Sequence, residues 1–222
     1  MILLWDIDGT LLDTGGSGVN SLTAAIYQQT GLKVDFLRES FSGLTDYEIV
    51  NKLISEAGGY TPNKSEIEKI LEIHINSFEI ILKSNPAKQI DGVINKLKEI
   101  SLLSDIHQGI LTGNCSAGAN AKLKSAKLKK FFEESSIFTA DFRNDSRVKI
   151  ADYARSSLSS EEEIILIGDT PNDIFAAREN GMGVISLPTG TFTYDQLQSL
   201  NEFGTLKKDW TAVDLLEKIY SV

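Results

Sequence analysis

Four aspartates stand where they could bind a metal ion or attack a substrate. Asp6 and Asp8 follow an apolar run at residues 1–5, and Asp169 and Asp173 follow another at residues 164–167. Carboxylates held close together repel one another unless a cation or a shared proton relieves them. Mg²⁺ suits such a cluster, because it takes a few carboxylates and keeps water and phosphate oxygens as its other ligands. The four aspartates therefore predict a Mg²⁺ site, although Asp173 also falls in the first turn of a predicted helix, where a carboxylate is favoured anyway.

A third group of polar residues follows the apolar run at residues 106–111. Thr112, Gly113 and Asn114 stand between this run and a predicted helix. A hydroxyl group, exposed backbone N–H groups and a helix start can together hold a phosphate. The same residue types are common in any strand-to-helix turn, so this pattern gains weight only if it lies opposite the aspartates.

The elements that must position these residues are short apolar strands alternating with helices. Strands are predicted at 2–7, 106–111, 136–139, 164–167 and 183–187, and helices near 90–100, 116–129, 146–158 and 172–180. This alternation predicts an α/β fold, a Rossmann-like parallel sheet with helices on both faces. Ligands bind beyond the carboxyl ends of the strands in such sheets, so we expect the three polar groups to meet at one edge.

A helical insert, which we define as residues 15–85, interrupts this pattern. Its apolar residues recur at helical spacing, and it contains no convincing strand. The glycine-rich stretch at 14–18 suits a hinge. We therefore expect a core domain of residues 1–14 and 86–222 and a small helical domain of residues 15–85. The tail at 193–222 is expected to form two helices, anchored by Trp210, Leu215 and Leu216.

The composition excludes several classes of protein. A formal net charge of −9 argues against nonspecific binding to nucleic acids or anionic membranes. The single cysteine, Cys115, cannot form an intrachain disulfide, and no histidine near it in sequence would activate it as a nucleophile. The first apolar run is too short for a signal peptide or a membrane span. We expect a cytoplasmic protein, and a monomer because no exposed apolar patch is evident.

The motifs and their order resemble those of the haloacid dehalogenase superfamily. The segment DIDGTLLD at residues 6–13 resembles its first signature, Thr112 with the preceding strand its second, and Gly168-Asp169 with Asp173 its fourth. The order and spacing agree over nearly the whole chain. The helical insert resembles the cap that phosphoglycolate-phosphatase-like members carry after the first signature.

This resemblance implies a role for each residue of the site. Asp6 would be the nucleophile that becomes an aspartyl phosphate, and Asp8 would protonate the leaving group and then activate water. Thr112 would hold the phosphoryl group. Asp169, with Asp6 and the Asp8 carbonyl, would bind Mg²⁺, and Asp173 would support it. Further contacts with the substrate are expected from Gly9, Thr10, Gly113, Asn114 and Lys149.

The third signature departs from the family pattern, which has a lysine that is often followed by proline. Here residues 145–149 read DSRVK, so that Arg147 and Lys149 compete for this role. On a helix, Arg147 aligns with Ala151 and Ala154 on the apolar face, whereas Lys149 aligns with more polar positions. A cation that reaches the site should come from the buried face, so we expect Arg147, which can also bind phosphate with two donors.

The function expected from these features is Mg²⁺-dependent hydrolysis of a small phosphorylated metabolite through an aspartyl phosphate. A sugar phosphomutase of the β-phosphoglucomutase type shares the core and the aspartate pair and remains an alternative. A dehalogenase is disfavoured because it does not need Asp8. A non-catalytic receiver-like domain is disfavoured because receivers lack the insert. Residues 43–46 could set specificity, or they could simply be a turn with an N-cap at Thr45 or Asp46.

Overall fold

A five-stranded parallel sheet forms the centre of the molecule. The structure is a computed structural model that describes residues 1–141, 145–158 and 162–201, with Glu217 and Ile219 beyond them and only the backbone of Arg38. The strands of this sheet are β1 (Ile2–Trp5), β4 (His107–Cys115), β5 (Ile137–Ala140), β6 (Ile164–Gly168) and β7 (Gly183–Ser186). Their order is β5-β4-β1-β6-β7, and every neighbouring pair is parallel. The predicted α/β fold is confirmed, with β1 at the centre.

Helices cover both faces of this sheet. They are α5 (Val93–Ile100), α6 (Ser116–Ser125), α7 (Arg147–Ser157), α8 (Pro171–Glu179) and α9 (Tyr194–Gln198). Side chains of β1 alternate between the two faces, as the pleat of a strand requires. Leu3 and Trp5 pack in one cluster with residues of α5 and α6, while Ile2 and Leu4 pack in the other with residues of α7 and α8. A strand buried on both faces must be apolar throughout, which explains the uninterrupted apolar run before Asp6.

The helical insert consists of α1 (Ser17–Thr30), α2 (Arg38–Phe41), α3 (Asp46–Gly58) and α4 (Lys64–Ser84). These helices share an apolar cluster of their own, to which α1 contributes Leu22 and Ile26 and α3 contributes Leu53 and Ile54. The two connections to the sheet run side by side as the antiparallel pair β2 (Leu12–Asp13) and β3 (Lys88–Gln89). The chain thus leaves the core and returns to it at adjacent points.

Helix α4 joins the insert to the core. Its first half contributes Ile70 and Leu71 to the cluster of the insert. Its second half contributes Phe78 and Leu82 to the cluster around β1. The apolar stripe that predicted this helix therefore faces two different cores along its length.

The predicted tail is only partly described. Helix α9 lies where the first tail helix was expected, and the Thr193 hydroxyl accepts a hydrogen bond from the backbone N–H of Gln196 at its start. The predicted anchors Trp210, Leu215 and Leu216 lie outside the described residues. Within the described part of the chain, no helix is long and apolar enough to span a membrane.

The position of Phe78 predicts its contribution to stability. Phe78→Ala leaves a cavity where α4 meets the sheet core, so we expect the free energy of unfolding to fall by about 3–5 kcal/mol. Ile80→Ala on the same helix is the control, because Ile80 is 67% exposed and should change stability by less than about 0.5 kcal/mol. Urea denaturation measures both variants. Equal losses would contradict the packing described for α4.

Candidate active site

Three carboxylates meet at the carboxyl edge of the sheet. Asp6 follows β1 and Asp169 follows β6, and these strands are hydrogen-bonded neighbours in register. Asp173 reaches the same point from the first turn of α8. One oxygen from each lies within 4.8 Å of the others. All three side chains are buried, with exposed fractions of 1–3%, so their charges must be compensated by neighbouring groups.

Arg147 supplies the compensation that the structure shows. Its Nη1 and Nη2 donate to the two oxygens of Asp6 at 2.9 and 3.0 Å, and Nη1 also donates to the carbonyl of Leu111 at 3.1 Å. The same Nη1 lies 3.2 Å from Asp173 Oδ1. The guanidinium group is buried because Arg147 lies on the face of α7 that also buries Ile150. One cation thus contacts two of the three carboxylates.

The proton affinities of these groups follow from burial and from their mutual repulsion. Burial, opposed by Arg147 and reinforced by Asp173, raises the pKa of Asp6 to about 6. Burial and the charges of Asp6 and Asp173 raise the pKa of Asp169 well above its usual value. Although burial opposes it, the carboxylates around Arg147 raise the pKa of its guanidinium. The carboxylates therefore carry more negative charge than Arg147 offsets.

The donor set fits a hard divalent cation. Asp173 Oδ2 accepts hydrogen bonds from the backbone N–H and the hydroxyl of Thr170, at 3.0 and 2.8 Å. Asp173 Oδ1 is buried and accepts no hydrogen bond. The cation that lies near this oxygen, Arg147 Nη1 at 3.2 Å, also serves Asp6, so the oxygen could accept a further cation. Asp173 therefore caps α8 with one oxygen and turns the other toward the cluster, where its role as a metal ligand stays a prediction.

Asp169 is held by its surroundings. Thr10 donates its hydroxyl to Asp169 Oδ1 at 2.9 Å. Gly9 and Gly190 approach the same carboxylate so closely that a Cβ atom at either position would collide with it. Gly9 also has φ +79°, a conformation that glycine adopts without strain. These contacts leave Asp169 little freedom to turn away from Asp6.

Asp8 lies in a different electrostatic environment from Asp6. Lys122 donates to its two oxygens at 2.8 and 2.6 Å, and Asn114 Nδ2 donates to Oδ2 at 2.7 Å. Lys122 also donates to the side-chain carbonyl of Asn114. Burial alone would raise the pKa of Asp8, but the ammonium group of Lys122 outweighs it, and the pKa lies below its usual value. Since its side chain is 44% exposed, Asp8 can also meet a molecule in the adjacent cavity.

Lys122 was missed by the sequence analysis. It lies on the buried face of α6 with Ala119 and Leu123, so the face argument used for Arg147 would have selected it. The same argument would also have selected Lys96, which is equally buried on α5 and pairs with Glu99. A lysine on the apolar face of a helix therefore indicates a buried cation, but it does not show whether that cation belongs to the active site.

A segment of the insert, residues 42–46, lies directly on the core. Thr45 Oγ1 donates to the carbonyl of Asp145 at 2.7 Å, and Arg147 Nε donates to the carbonyl of Gly43 at 3.3 Å. The backbone N–H of Cys115 donates to Asp46 Oδ2 at 2.8 Å. Thr45 is also the N-cap of α3, so the segment is both a helix cap and a contact with the site. Arg147 thus touches Asp6 and the insert at once.

A cavity of about 380 Å³ lies between the insert and the core. Its core side is formed by Asp6, Asp8, Gly113, Asn114 and Arg147, and the insert closes the other side. A cavity of this size fits a small metabolite. The carboxylates and cations described above therefore face a space that can hold a substrate.

Burial keeps two further side chains, His74 and Cys115, in their uncharged forms. His74 lines the cavity, but its Nδ1 lies 3.0 Å from Ser21 Oγ and its ring stacks on Phe78. Burial lowers the pKa of His74 to about 3, so it is neutral. Burial raises the pKa of the Cys115 thiol to about 12, which makes it a poor nucleophile.

A family model for haloacid dehalogenase-like hydrolases matches residues 3–187. The chain belongs to this family. No curated protein matches the chain. The family match and the site agree on a hydrolase.

Solved structures show the same fold at low identity. A predicted phosphatase from Clostridium acetobutylicum is 19% identical, with 100% of this chain and 98% of that chain covered and a TM-score of 0.76. A proposed β-phosphoglucomutase from Bacteroides vulgatus is 18% identical, with 99% and 88% covered and a TM-score of 0.72. CbbY from Rhodobacter sphaeroides, solved with phosphate, is 18% identical, with 92% and 96% covered and a TM-score of 0.71. The fold is therefore one that both phosphatases and phosphomutases are described as using.

The structure brings most of the predicted site residues of this hydrolase to the cavity, but not all of them. Gly9, Gly113 and Asn114 line it together with Asp6, Asp8, Arg147 and Asp169. Thr10 points its hydroxyl at Asp169 instead. Thr112 is fully buried, and its hydroxyl oxygen accepts from Asn114 Nδ2 at 2.7 Å. Lys149 is 58% exposed and pairs with Asp145 at 2.7 Å, and it is not among the residues that line the cavity.

The raised pKa values predict how metal binding depends on pH. In the metal-free protein Asp6, whose pKa burial raises to about 6, is largely protonated at pH 5 and has largely lost its protons at pH 7.5. A cation must displace those protons, so we expect Mg²⁺, used as the probe ion, to bind at least about tenfold more weakly at pH 5 than at pH 7.5. Calorimetric titration at the two pH values measures this ratio. Equal affinity at both values would contradict the electrostatics described here.

Proposed function

We propose that the protein is a Mg²⁺-dependent phosphatase that hydrolyses a small phosphate monoester through an aspartyl phosphate on Asp6. The observation that carries this proposal is the arrangement of two aspartates with different surroundings at one cavity. Asp6 is buried among carboxylates and Arg147, whereas Asp8 is half exposed and paired with Lys122. These surroundings support a role for Asp6 in attack on the substrate and for Asp8 in proton exchange with a molecule in the cavity.

In the first step Asp6 attacks the phosphorus atom of the ester. A bond forms between a carboxylate oxygen and phosphorus, and the bond from phosphorus to the alcohol oxygen breaks, so the alcohol leaves. Arg147 and the backbone at Gly113 and Asn114 lie at the cavity, where they would donate to the phosphoryl oxygens. Mg²⁺ bound by Asp6, Asp169 and Asp173, with the carbonyl of Asp8, would neutralise the charge of these oxygens. The hydroxyl group of Thr112 would donate a further hydrogen bond to the phosphoryl group.

In the second step water hydrolyses the aspartyl phosphate. Asp8 takes a proton from the water as the oxygen attacks phosphorus, and Asp6 leaves as a carboxylate. The contact with Lys122 favours the charged form of Asp8, which is the form that a base needs. In the first step the leaving alcohol must receive a proton, which Asp8 can donate only in its protonated form. The lowered pKa of Asp8 therefore suits it better to act as the base in the second step than as the acid in the first. Esters with acidic leaving groups should therefore react without much help from Asp8.

The helical insert would act as the cap of this phosphatase. Residues 42–46 contact the core next to Arg147 and Cys115, and they close the cavity above the phosphate position. Closure excludes bulk water, which strengthens the interactions of the charged groups inside. The core of residues 1–14 and 86–222 would then supply the chemistry, and residues 15–85 the selection of the substrate.

The role of Asp6 is tested with p-nitrophenyl phosphate. We expect release of p-nitrophenol by the wild type with Mg²⁺, and no release with a chelator or by Asp6→Asn, because an amide cannot attack phosphorus. Asp152→Asn is the control, because it removes one exposed carboxylate from α7 and should leave the rate unchanged. Activity retained by Asp6→Asn would remove the covalent mechanism. Interconversion of sugar phosphates without release of phosphate would favour a phosphomutase.

The two cations of α7 should differ in their effect on turnover. Arg147→Ala removes both donors to Asp6, so we expect kcat/KM to fall by at least about 100-fold. Lys149→Ala removes a surface pair with Asp145 and should change kcat/KM by less than about twofold. Steady-state hydrolysis of p-nitrophenyl phosphate measures both variants. A larger loss in Lys149→Ala would reverse the assignment of the third signature.

A further inference from the structure

The helical insert forms the side of the cavity that faces the core. Its polar side chains there include Asn20, Ser42 and His74. Its apolar side chains outnumber these three and come from residues 19–49 of the insert: Val19, Leu22, Phe36, Phe41, Leu44 and Ile49. The leaving alcohol of a bound ester would lie against these residues, and so they decide which alcohols fit.

The cations around this cavity are already matched by carboxylates. Among the cavity-lining residues that the structure describes, the basic side chains are Arg147 and Lys122. Arg147 is bound to both oxygens of Asp6, and Lys122 to both oxygens of Asp8. A bound phosphate group with two negative charges would already need Arg147 as its counter-charge. No basic group among those described is left over for a second anion on the substrate.

The insert side of the cavity carries negative charge instead. Asp46 lines it, and Asp46 Oδ2 accepts the backbone N–H of Cys115. Burial raises the pKa of Asp46, and the ammonium group of Lys122, which is bound directly to Asp8, opposes this shift and favours the charged carboxylate. One ammonium group thus serves two carboxylates. Asp13 adds a further carboxylate to the lining, and His74, hydrogen-bonded to Ser21, adds no positive charge.

We propose that the substrate carries a single phosphate on an uncharged, partly apolar alcohol, and that Asp46 excludes esters with a second anionic group. This inference rests on the proposed phosphatase function and narrows it. A second carboxylate or phosphate would lose its water shell against apolar side chains and face Asp46 without a free cation. Hydroxyl groups on the alcohol would find neutral partners in Asn20, Ser42 and His74.

Matched pairs of esters test this proposal with the wild-type protein and Mg²⁺. The first pair is 2-hydroxyethyl phosphate and 2-phosphoglycolate, which differ by a hydroxymethyl group in place of a carboxylate. The second pair is glycerol 3-phosphate and 3-phosphoglycerate. We expect kcat/KM, measured by phosphate release, to be at least tenfold higher for the neutral member of each pair, which is the ester whose alcohol part carries no carboxylate. Equal values, or a preference for either carboxylate, would overturn the proposal.

Substitution of Asp46 tests whether this residue causes the preference for esters without a second anionic group. Asp46→Asn keeps a carbonyl oxygen to accept the N–H of Cys115 and removes the charge, so the ratio within each pair should narrow at least threefold, through faster turnover of the anionic member. Asp35→Asn is the control, since it removes one exposed carboxylate from the insert outside the cavity lining, and its ratios should equal those of the wild type. If the ratio of kcat/KM values within each pair were unchanged in Asp46→Asn, Asp46 would not be the residue that selects the substrate.

A binding measurement separates this inference from the proposed function. Calorimetry with Asp6→Asn, Mg²⁺ and the same four esters needs no turnover. If no ester and no p-nitrophenyl phosphate is hydrolysed by the wild type, the phosphatase function fails, while at least tenfold tighter binding of each neutral member would still support the selectivity. Binding that is equal, stronger for the anionic members or absent for all four would overturn the selectivity.

Discussion

The contact between Arg147 and Asp6 is the interaction on which the rest of the site depends. Three buried carboxylates meet within 4.8 Å, an arrangement that repulsion would break apart without positive charge. Arg147 reaches Asp6 and Asp173 from the first turn of α7 and is held in turn by the carbonyls of Leu111 and Gly43. The guanidinium group offsets only part of the charge, and the remainder prepares the cluster for a divalent cation. Asp6, the carboxylate cluster and residues 42–46 of the insert are therefore linked through one side chain.

Asp6 and Asp8 show how two identical side chains can acquire different proton affinities. Asp6 and Asp8 are two residues apart, yet burial raises the pKa of Asp6 while Lys122 lowers that of Asp8. Such a separation of proton affinities is what acid–base catalysis beside a nucleophile requires. It comes from different elements: α7 supplies the cation for Asp6, and α6 supplies the cation for Asp8. The sheet brings both helices to the same edge.

Sequence reasoning reached the fold and the acidic cluster because both follow from local patterns. Apolar runs that end on Asp6 and Asp169 predicted adjacent strands, and the structure has β1 and β6 paired in register. The face argument applied to Arg147 could not separate Lys122 from Lys96, because both are buried on apolar helix faces and only Lys122 lies opposite Asp8. The contacts of residues 42–46 with the core were also out of reach, since they depend on how the insert rests on the sheet. Thr10 and Lys149 were expected to contact the substrate, but Thr10 points at Asp169 and Lys149 at Asp145.

The central claim is that Asp6 carries the phosphoryl group during turnover. Borohydride reduces an acyl phosphate to an alcohol, so quenching the enzyme with borohydride during hydrolysis of p-nitrophenyl phosphate with Mg²⁺ should convert Asp6 to homoserine. Mass spectrometry of the peptide that contains residue 6 reads out this change directly. We expect homoserine at position 6, dependent on both Mg²⁺ and substrate. Steady turnover with no homoserine at this position, or with homoserine at Asp8 or Asp169 instead, would contradict it.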